Sequence, residues 1–534
     1  MIARPPYSHR SRFGRFTVIL ATITCSLFVG VASSTGITAA SGDTGLTVVV
    51  DGHSTIRPIN PLIMGMSGDV DAAYIRDVGV TLNSWGGNPS TRYNYRIGHA
   101  WNNGSDWEYR NTNYGQSGDV SAKFIKDSLA AGAQVRVAVP TLGWVAKNDS
   151  NDNCSFPQTG GGCGGSEGAS CQKPGPVADP TTANIRSTVE AVRDWVGQMV
   201  KDQKLTVNFI AMDNEPELWG TTHYDVHPSC STYDEILERY LTYATALRQV
   251  APTAKFMGPV MCCWYSFWNT APGPKTGPKE DFLAWFLKHV HTHDLTAGRR
   301  TLDLLDVHYY PQSDVFNDKV DSSTAARRLR STRSLYDSGY TDESWISSKI
   351  RLIPRLRETI AASYPGTGLA ISEWNFGADA TMNGALAIAD VLGIYGREGV
   401  DAAAYWRSPK RLSPGYFAFK MHGNYDGKGS RFGGTAITMV SPDAERVATF
   451  GAVDPTTGVL RVMLINKQPN TTTRVKLSIR NFTGRPSVAL FRYSMASPTA
   501  ISSSALTVSS LATGVMVPPS SITVLELGPV SPPK

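Results

Sequence analysis

Three carboxylates and an amide follow directly on a short apolar run at residues 208–212. The run indicates a buried strand, and the segment Asp213–Glu217 then crowds its carboxyl end. Pro216 cannot donate to a strand ladder, so it ends the strand and helps to fix where Glu215 points. Because buried charges must be paired, such a cluster is unfavourable in a hydrophobic core and is better suited to the floor of an active site. The alternative is a strand end capped by solvated acids.

A second glutamate stands in an equivalent place. Glu373 ends the apolar run within Gly368–Gly377 (GLAISEWNFG), as Glu215 ends the earlier run. Cleavage of a glycosidic bond needs such a pair, because one carboxyl must hold a proton for the leaving oxygen and the other must stay ionised to attack the anomeric carbon. Asn214, directly before the first glutamate, can hydrogen-bond a sugar hydroxyl. The second glutamate therefore favours the catalytic interpretation of the first.

The elements that would carry these residues alternate between strand and helix. Strand-like apolar runs lie at Leu62–Met66, Thr81–Trp85, Val135–Val139, Phe209–Met212, Lys255–Val260, Leu304–Tyr309, Leu369–Ser372 and Ala402–Trp406. Helical periodicity lies at Ala183–Val200, Asp234–Val250, Asp281–His293, Ile350–Ala362 and Gly384–Arg397. Eight strands that alternate with helices indicate an α/β fold, a (β/α)8 TIM-like barrel. Active sites of such barrels form at the carboxyl ends of the strands, where both glutamates are expected.

The pattern changes after about Gly427. Short alternating segments, separated by Gly, Pro, Asn and Ser, predict an antiparallel β-sandwich without helices. They are Arg446–Val453, Val459–Asn466, Thr473–Arg480, Ser487–Tyr493 and Ile522–Leu527. The β-like stretch Thr47–Asp51 has no place in the barrel. We therefore expect a signal peptide at residues 1–40, an N-terminal strand joining the sandwich at 41–60, the catalytic barrel at 61–427 and a smaller all-β sandwich at 428–534.

The first forty residues are typical of an export signal. Four arginines (Arg4, Arg10, Arg12 and Arg15) come before or beside an apolar run at Phe16–Ala32, and small residues ending in Ala39-Ala40 offer a cleavage site. A membrane anchor is the alternative, but the run is short and interrupted by threonines and a serine. We expect a secreted, extracellular protein that is not held at a membrane once the signal is removed.

Net charge argues against a nucleic-acid partner. The whole chain carries a formal charge of +6, and the four arginines of the signal, with no acid among them, leave the remainder at +2. Nucleic-acid binders show a strong basic patch or stripe instead. Composition thus describes an ordinary globular protein, which we expect to be a monomer.

Six of the seven cysteines lie beyond the signal: Cys154, Cys163, Cys171, Cys230, Cys262 and Cys263. An even number in an exported protein favours disulfides, and the spacing matches no zinc pattern. The sequence does not select among the possible pairings. Adjacent cysteines are expected to bond separate loops rather than each other, because a bridge between neighbours is strained. We predict three disulfides that pin the loops after strands 3, 4 and 5.

Several motifs together resemble those of glycoside hydrolase family 44. They are DNEPELW with THYDVHP (Asp213–Pro228), WGGNPSTRYNY (Trp85–Tyr95), LDVHYYP (Leu305–Pro311), AISEWN (Ala370–Asn375) and NYDGKG (Asn424–Gly429), within a likeness that covers most of residues 45–530. The resemblance implies a TIM-like barrel with a β-sandwich, and a retaining endo-β-1,4-glucanase, a class with many members active on xyloglucan. It also implies that Glu215 is the acid/base and Glu373 the nucleophile. The chain departs from the family pattern at Ser84, at Tyr95 and in its six-cysteine loops.

Aromatic and polar residues near the strand ends are candidates for binding sugar. The candidates are Trp85, Asn88, Trp144, Trp219, Trp374 and Trp406, next to Asn214. Each tryptophan is either a stacking platform or partly buried packing, and we expect Trp406 to be the floor beside the scissile bond. His308 and Tyr310 share a strand face and are expected to orient Glu373, although a purely structural role for His308 is equally open.

No metal or cofactor is expected. His223, Asp225 and His227 could bind a metal, but the resemblance makes them structural parts of the loop after strand 4. A polysaccharide is the expected partner, and three interpretations remain. The protein is a secreted endo-glucanase, the same barrel acts on xylan or mannan, or it is a non-catalytic carbohydrate-binding or wall-associated protein.

Overall fold

Eight parallel strands close into a barrel in the computed structural model, which describes residues 45–68, 70–164, 168–269, 280–312, 314–481 and 487–529. Numbered in chain order over the whole protein, the barrel strands are β2 (Gly65–Ser67), β3 (Leu82–Trp85), β6 (Gln134–Val139), β9 (Phe209–Met212), β10 (Lys255–Cys262), β11 (Leu304–Tyr309), β12 (Gly368–Trp374) and β13 (Ala402–Tyr405). The predicted (β/α)8 barrel is confirmed. The expected signal peptide lies outside the described residues.

The first barrel strand is shorter and later than the sequence predicts. Pro61–Ile63 forms a 3-10 turn, and only Gly65–Ser67 pairs with its neighbours. The Asn60 side chain accepts from the Leu62 N–H, and Pro61 occupies the first position of the turn. An Asn cap followed by Pro starts a helical turn rather than a strand.

Helices alternate with the barrel strands along the chain. They are α1 (Ala72–Val78), α2 (Val120–Ala130), α3 (Val189–Gly197), α4 (Trp219–Thr222), α5 (Tyr233–Val250), α6 (Cys263–Ser266), α7 (Phe282–Ala297), α8 (Ser322–Ser331), α9 (Leu352–Ser363), α10 (Met382–Glu398) and α11 (Pro414–Gly423). The five predicted helical segments correspond to α3, α5, α7, α9 and α10. Helix α5 begins with a cap typical of helices, since the Thr232 hydroxyl accepts from the Glu235 N–H. Short helices such as α1 were not predicted, because they contain too few turns for a helical repeat of apolar residues to show.

A nine-stranded sheet forms the second domain among the described residues. Its strands are β1 (Leu46–Pro58), β14 (Thr435–Val440), β15 (Val447–Val453), β16 (Val459–Asn466), β17 (Thr473–Arg480), β18 (Ser487–Ser494), β19 (Ser502–Thr507), β20 (Val515–Val517) and β21 (Ser521–Pro529). Strand β1 pairs antiparallel with β14 and parallel with β17. Residues from both ends of the sheet share one core, so the sheet folds over on itself as the predicted sandwich. The expectation of no helix was wrong, because α12 (Val508–Thr513) lies between β19 and β20.

The sandwich packs on the barrel through the middle of its sheet. On β15, Phe450 belongs to the core that continues into the barrel helices, whereas Val447 and Val453 belong to the core inside the sandwich. Successive strand residues point to opposite faces, and every residue of β15 is buried because both faces are covered. Barrel and sandwich therefore share an apolar interface against α10 and α11.

The cysteines form three disulfides, as predicted, but one pairing differs from the expectation. Cys154 bonds Cys163 within the loop after β6, and Cys171 bonds Cys230, which ties that loop to the one after β9. Adjacent Cys262 and Cys263 bond each other, so the expectation that each reaches a separate loop was wrong. Cys263 has a left-handed φ of 63°, and the chain turns there from the end of β10 directly into α6.

Among the residues that the structure describes, no helix combines the length and the apolar character needed to cross a bilayer. Two small two-stranded antiparallel sheets lie in the connections at the mouth of the barrel. They pair β4 (Trp101–Asn102) with β5 (Asn111–Thr112), and β7 (Trp144–Ala146) with β8 (Asn184–Arg186).

Replacement of Phe450 by alanine tests the interface between barrel and sandwich. Phe450 is 5% exposed, and it fits against Gly393 of α10 so closely that a Cβ there would lie 2.5 Å from the ring. Phe450→Ala should lower the free energy of unfolding by about 3–5 kcal/mol, measured by urea titration. Val440→Ala, at a position 67% exposed, is the matched control and should change little. A loss as small as that of the control would show that the interface contributes nothing to stability.

Candidate active site

Glu215 and Glu373 meet at the mouth of the barrel. Glu373 lies near the end of β12, and its register partner on β11 is His308. His308 Nδ1 is 2.8 Å from Glu215 Oε1 and 3.4 Å from Glu373 Oε2. One oxygen of each carboxylate and one ring nitrogen of His308 all lie within 4.8 Å of one another. The structure thus brings together the two glutamates that the sequence pairs, with a histidine between them.

The backbone at Glu215 is held in an unusual conformation. Its φ and ψ are 44° and 57°, in the left-handed region, which a residue other than glycine adopts only when its surroundings enforce it. The Glu215 N–H donates to Val260 O on β10 over 3.0 Å, and Pro216 begins a 3-10 turn directly afterwards. This turn aims the Glu215 side chain at His308 instead of continuing the strand.

Asp213 fastens the same strand end to two neighbouring loops. Its carboxylate accepts from the Thr91 hydroxyl and from the N–H groups of Thr141, Leu142 and Asn214. Burial raises the pKa of Asp213 above its usual value, although the hydrogen bonds from Thr91, Thr141 and Asn214 oppose the rise. Thr91 follows β3, and Thr141 follows β6, so one buried carboxylate joins the ends of three barrel strands beneath Glu215.

His308 and Glu373 control the charge of the pair. Burial would lower the pKa of His308, but the charge of Glu373 and the hydrogen bond to Glu215 raise it to about 9. Burial raises the pKa of Glu373 to about 7; Glu215 adds to the rise, while His308 and Tyr310 oppose it. The Tyr310 hydroxyl donates to Glu373 Oε2 over 2.9 Å. Burial and the neighbouring carboxylate thus favour a proton on Glu373, whereas the charge of His308 and the hydrogen bond from Tyr310 favour its ionised form.

A buried ion pair lies behind Glu373. Arg136 Nη2 is 3.0 Å from Asp306 Oδ2, with both side chains almost completely buried, and Arg136 Nη1 donates to the Ser84 hydroxyl. The charge of Arg136 lowers the pKa of Glu373, which favours its ionised form. This pair was not predicted from the sequence. An arginine inside the apolar run of β6 was the available signal, because a buried charge must have a partner.

Glu217 is a third buried carboxyl, for which the sequence pattern predicts no role of its own. It is 4% exposed, its Oε1 accepts from the Cys262 N–H over 2.6 Å, and its Oε2 has no hydrogen-bond partner among the described residues. Burial raises the pKa of Glu217 to about 8, and the charge of Glu215 adds to the rise. Glu217 is therefore predominantly neutral below about pH 8.

Two of the expected substrate residues lie together beside Glu215. Asn214 Nδ2 donates to Asn88 Oδ1 over 3.2 Å, and Asn214 Oδ1 accepts from Gly87 N over 3.1 Å. Gly87 has a φ of 85°, and a Cβ at this position would lie 2.4 Å from the ring of Trp406. Only glycine allows this close approach. The half-buried Trp406 thus lies next to the segment that holds Asn214.

Three of the residues that were expected to stack on sugar are buried, so that expectation was wrong for Trp374, Trp219 and Trp144. Trp374 is 0% exposed, among Tyr395, Tyr405 and Phe419. Successive strand residues point to opposite faces, so Trp374 points out to the helices because Glu373 points into the barrel. Trp219 is 1% exposed.

Neighbouring side chains cover or surround the rings of Trp219, Trp144 and Trp85. Arg239 and His227 lie against Trp219, and the Arg186 guanidinium lies 3.9 Å from the ring centre of Trp144, which is 7% exposed. Trp85 is half-buried and packs against Tyr93, Trp101 and Phe124 as a core residue. These rings therefore hold the mouth of the barrel together.

The loop after β9 is held by a second buried ion pair. Both Nη atoms of Arg92 donate to the carboxylate of Asp225 over 3.0 Å, and both side chains are 0% exposed. His223 lies beside Arg92, and burial holds its pKa well below the usual value. His227 bonds Glu235 on α5. These contacts agree with a structural role for this loop.

Glu215, His308 and Glu373 are the group that could hold a metal ion among the described residues. The raised pKa of His308 opposes that use, because a metal ligand must be the neutral imidazole and binding has to displace its proton.

The pH dependence of stability tests the charge state of Glu217. Its pKa rises from 4.5 to about 8 on folding, so the stability from burying the neutral acid is complete below pH 4.5 and is lost as the pH rises through about 8. Glu217→Gln is neutral throughout. Its melting temperature relative to the unaltered protein should therefore increase between pH 4.5 and 8.5. Glu238→Gln, at an exposed glutamate of α5, is the control. A difference that stays constant with pH would contradict the assignment.

Known proteins resemble this chain in both sequence and fold. The sequence profile of glycoside hydrolase family 44 matches residues 100–313. Endoglucanase A of Paenibacillus lautus is 29% identical over 503 residues, which span 84% of this chain and 67% of that protein. The fold is similar to that of CelM2, a bifunctional glucanase-xylanase from a metagenome library, with 34% identity, a TM-score of 0.85 and coverage of 91% of this chain and 99% of the other.

A Paenibacillus polymyxa xyloglucanase of family 44, solved with xyloglucan, is similar at 25% identity and a TM-score of 0.78, with coverage of 90% of this chain and 99% of the other. These relatives share both domains over nearly their full solved length. The family predicted from the motifs is therefore confirmed, and the chain belongs to glycoside hydrolase family 44.

Proposed function

We propose that this protein is a secreted, retaining endo-β-1,4-glucanase that cleaves internal bonds of cellulose-type glucans and xyloglucan. The observation that carries the proposal is the buried pair Glu215 and Glu373, with His308 between them. Retaining enzymes hold their two carboxyl groups about 5–5.5 Å apart, and inverting enzymes about 6.5–9.5 Å. An approach within 4.8 Å between oxygens of the two groups favours retention.

In the proposed reaction Glu373 is the nucleophile and Glu215 the acid/base. Glu373 accepts a hydrogen bond from the Tyr310 hydroxyl and lies near Arg136 and His308. All three neighbours favour the ionised form of Glu373. It attacks the anomeric carbon while Glu215 donates a proton to the leaving oxygen. Glu215 then takes a proton from a water molecule while the water oxygen attacks the anomeric carbon, and the bond between that carbon and Glu373 breaks. His308 stays protonated and limits the repulsion between the two carboxylates.

Aromatic rings near the pair supply surfaces for a polymer. Besides Trp406, Phe316 is 46% exposed with its ring centre 4.8 Å from that of Tyr310. Trp345 is 59% exposed and donates from Nε1 to Gln312 Oε1. Exposed rings on the connection after β11 suit the stacking of sugar rings outside the cleavage point. Rings placed outside the cleavage point in this way favour attack within a chain.

Xylan is the second candidate substrate, because CelM2, the 34% identical relative, is described as a bifunctional glucanase-xylanase. Mannan also stays open. A non-catalytic role is less consistent with a complete pair of glutamates. Export rests on the N-terminal sequence and on the three disulfides, which form in oxidising compartments, and we retain the expectation of a monomer.

Viscometry on a panel of polysaccharides tests the proposal. The viscosity of carboxymethyl cellulose or xyloglucan should fall steeply before many reducing ends appear, because a single internal cut halves a chain. Proton NMR should show the β-anomer as the first product. Xylan and mannan in the panel separate the alternatives, and Glu373→Gln is the control for contaminating activity. Viscosity that falls only in step with released sugar would exclude endo-action, and an α-anomer formed first would exclude retention.

A further inference from the structure

The segment that carries Glu215 is attached to the end of β10 at two points. The Glu215 N–H donates to Val260 O over 3.0 Å, and the Cys262 N–H donates to Glu217 Oε1 over 2.6 Å. The two bonds run in opposite directions between the same two segments, two residues apart on each. The position of the Glu215 backbone therefore depends on the shape of β10 at its carboxyl end.

That end of β10 is not a regular strand. Val260 has a φ of 61° and Cys263 a φ of 63°, and the pairing with β11 shifts between Pro259 and Met261. A left-handed φ is unfavourable for a residue other than glycine, and especially for a β-branched one. Ordinary strand pairing does not define such a backbone, so other contacts must hold it.

Two groups are placed to hold it. The Cys262–Cys263 disulfide closes a small ring around the peptide bond between the two residues, which leaves the backbone few other conformations. Glu217 accepts from the Cys262 N–H although its own Oε2 is buried without a hydrogen-bond partner among the described residues. A buried carboxyl is costly, and an apolar side chain would fill the space at lower cost. The bond to Cys262 is the contact for which a polar group is needed.

We propose that Glu217 and the Cys262–Cys263 disulfide are positioning residues that hold Glu215 within reach of the glycosidic oxygen. The inference rests on the proposed role of Glu215 as the acid. It predicts a specific defect when either group is lost. Proton transfer from Glu215 to the glycosidic oxygen should become slower, while attack by Glu373 and binding of the substrate should change little.

Leaving-group dependence distinguishes this defect from a general loss of structure. A dinitrophenyl leaving group needs no proton, whereas the sugar leaving group of a cello-oligosaccharide does. kcat/KM reports the step in which that group departs. Glu217→Leu and the double variant C262S/C263S should each lower kcat/KM on cellopentaose by about 10–100-fold and on dinitrophenyl β-cellobioside by less than about 3-fold. Glu217→Gln should recover most of the loss, because its amide oxygen can still accept from the Cys262 N–H.

Matched controls make the result decisive. C154S/C163S removes a disulfide inside the loop after β6 and should leave the ratio between the two substrates unchanged. Equal losses on both substrates, or no loss, in Glu217→Leu and C262S/C263S would overturn the positioning role; if Glu217→Leu does not fold, C262S/C263S alone decides. Glu215→Gln should show the leaving-group effect most strongly. If Glu215→Gln itself lacks the effect, the acid role of Glu215 fails and this inference fails with it, whereas failure of the other variants alone leaves the proposed function intact.

Discussion

A protonated imidazole between two buried carboxylates is the interaction on which the catalytic centre depends. Glu373 is 6% exposed and His308 is completely buried, so water screens their charges little. Two carboxylates alone would repel each other strongly in such a place. His308 Nδ1 donates to Glu215 and lies 3.4 Å from Glu373, which lets one carboxyl remain ionised while the other keeps a proton. That asymmetry is what acid-assisted attack on a glycosidic bond requires.

The rest of the barrel serves to hold these three side chains in place. His308 and Glu373 come from adjacent strands in register, so the sheet itself sets their separation. Glu215 lies just beyond its strand, in a left-handed conformation that the sheet does not define. Its position instead depends on Asp213, on the end of β10 and on Glu217. The precision of the acid thus comes from buried polar contacts, and the precision of the nucleophile comes from strand pairing.

The sequence predicts the part of the site that follows from strand ends. Glu215 and Glu373 could be found because each ends an apolar run in an alternating strand and helix pattern. Trp374 was misplaced although strand alternation predicts its direction, since the residue after an inward glutamate points outward. The Cys262–Cys263 bond was missed because it depends on a local left-handed turn. Glu217 and Arg136 have roles that appear only when residues distant in sequence meet, such as Cys262 and Asp306.

The most direct test of the central claim is to trap the glycosyl-enzyme. A 2-deoxy-2-fluoro-β-cellobioside with a dinitrophenyl leaving group slows release of the sugar, so the covalent intermediate accumulates and can be mapped by mass spectrometry of peptides. The protein should gain the mass of one fluorinated cellobiosyl group, on the peptide that contains Glu373 and at that residue. Absence of a covalent adduct in an enzyme that remains active, or an adduct on Glu215, would contradict the proposed mechanism.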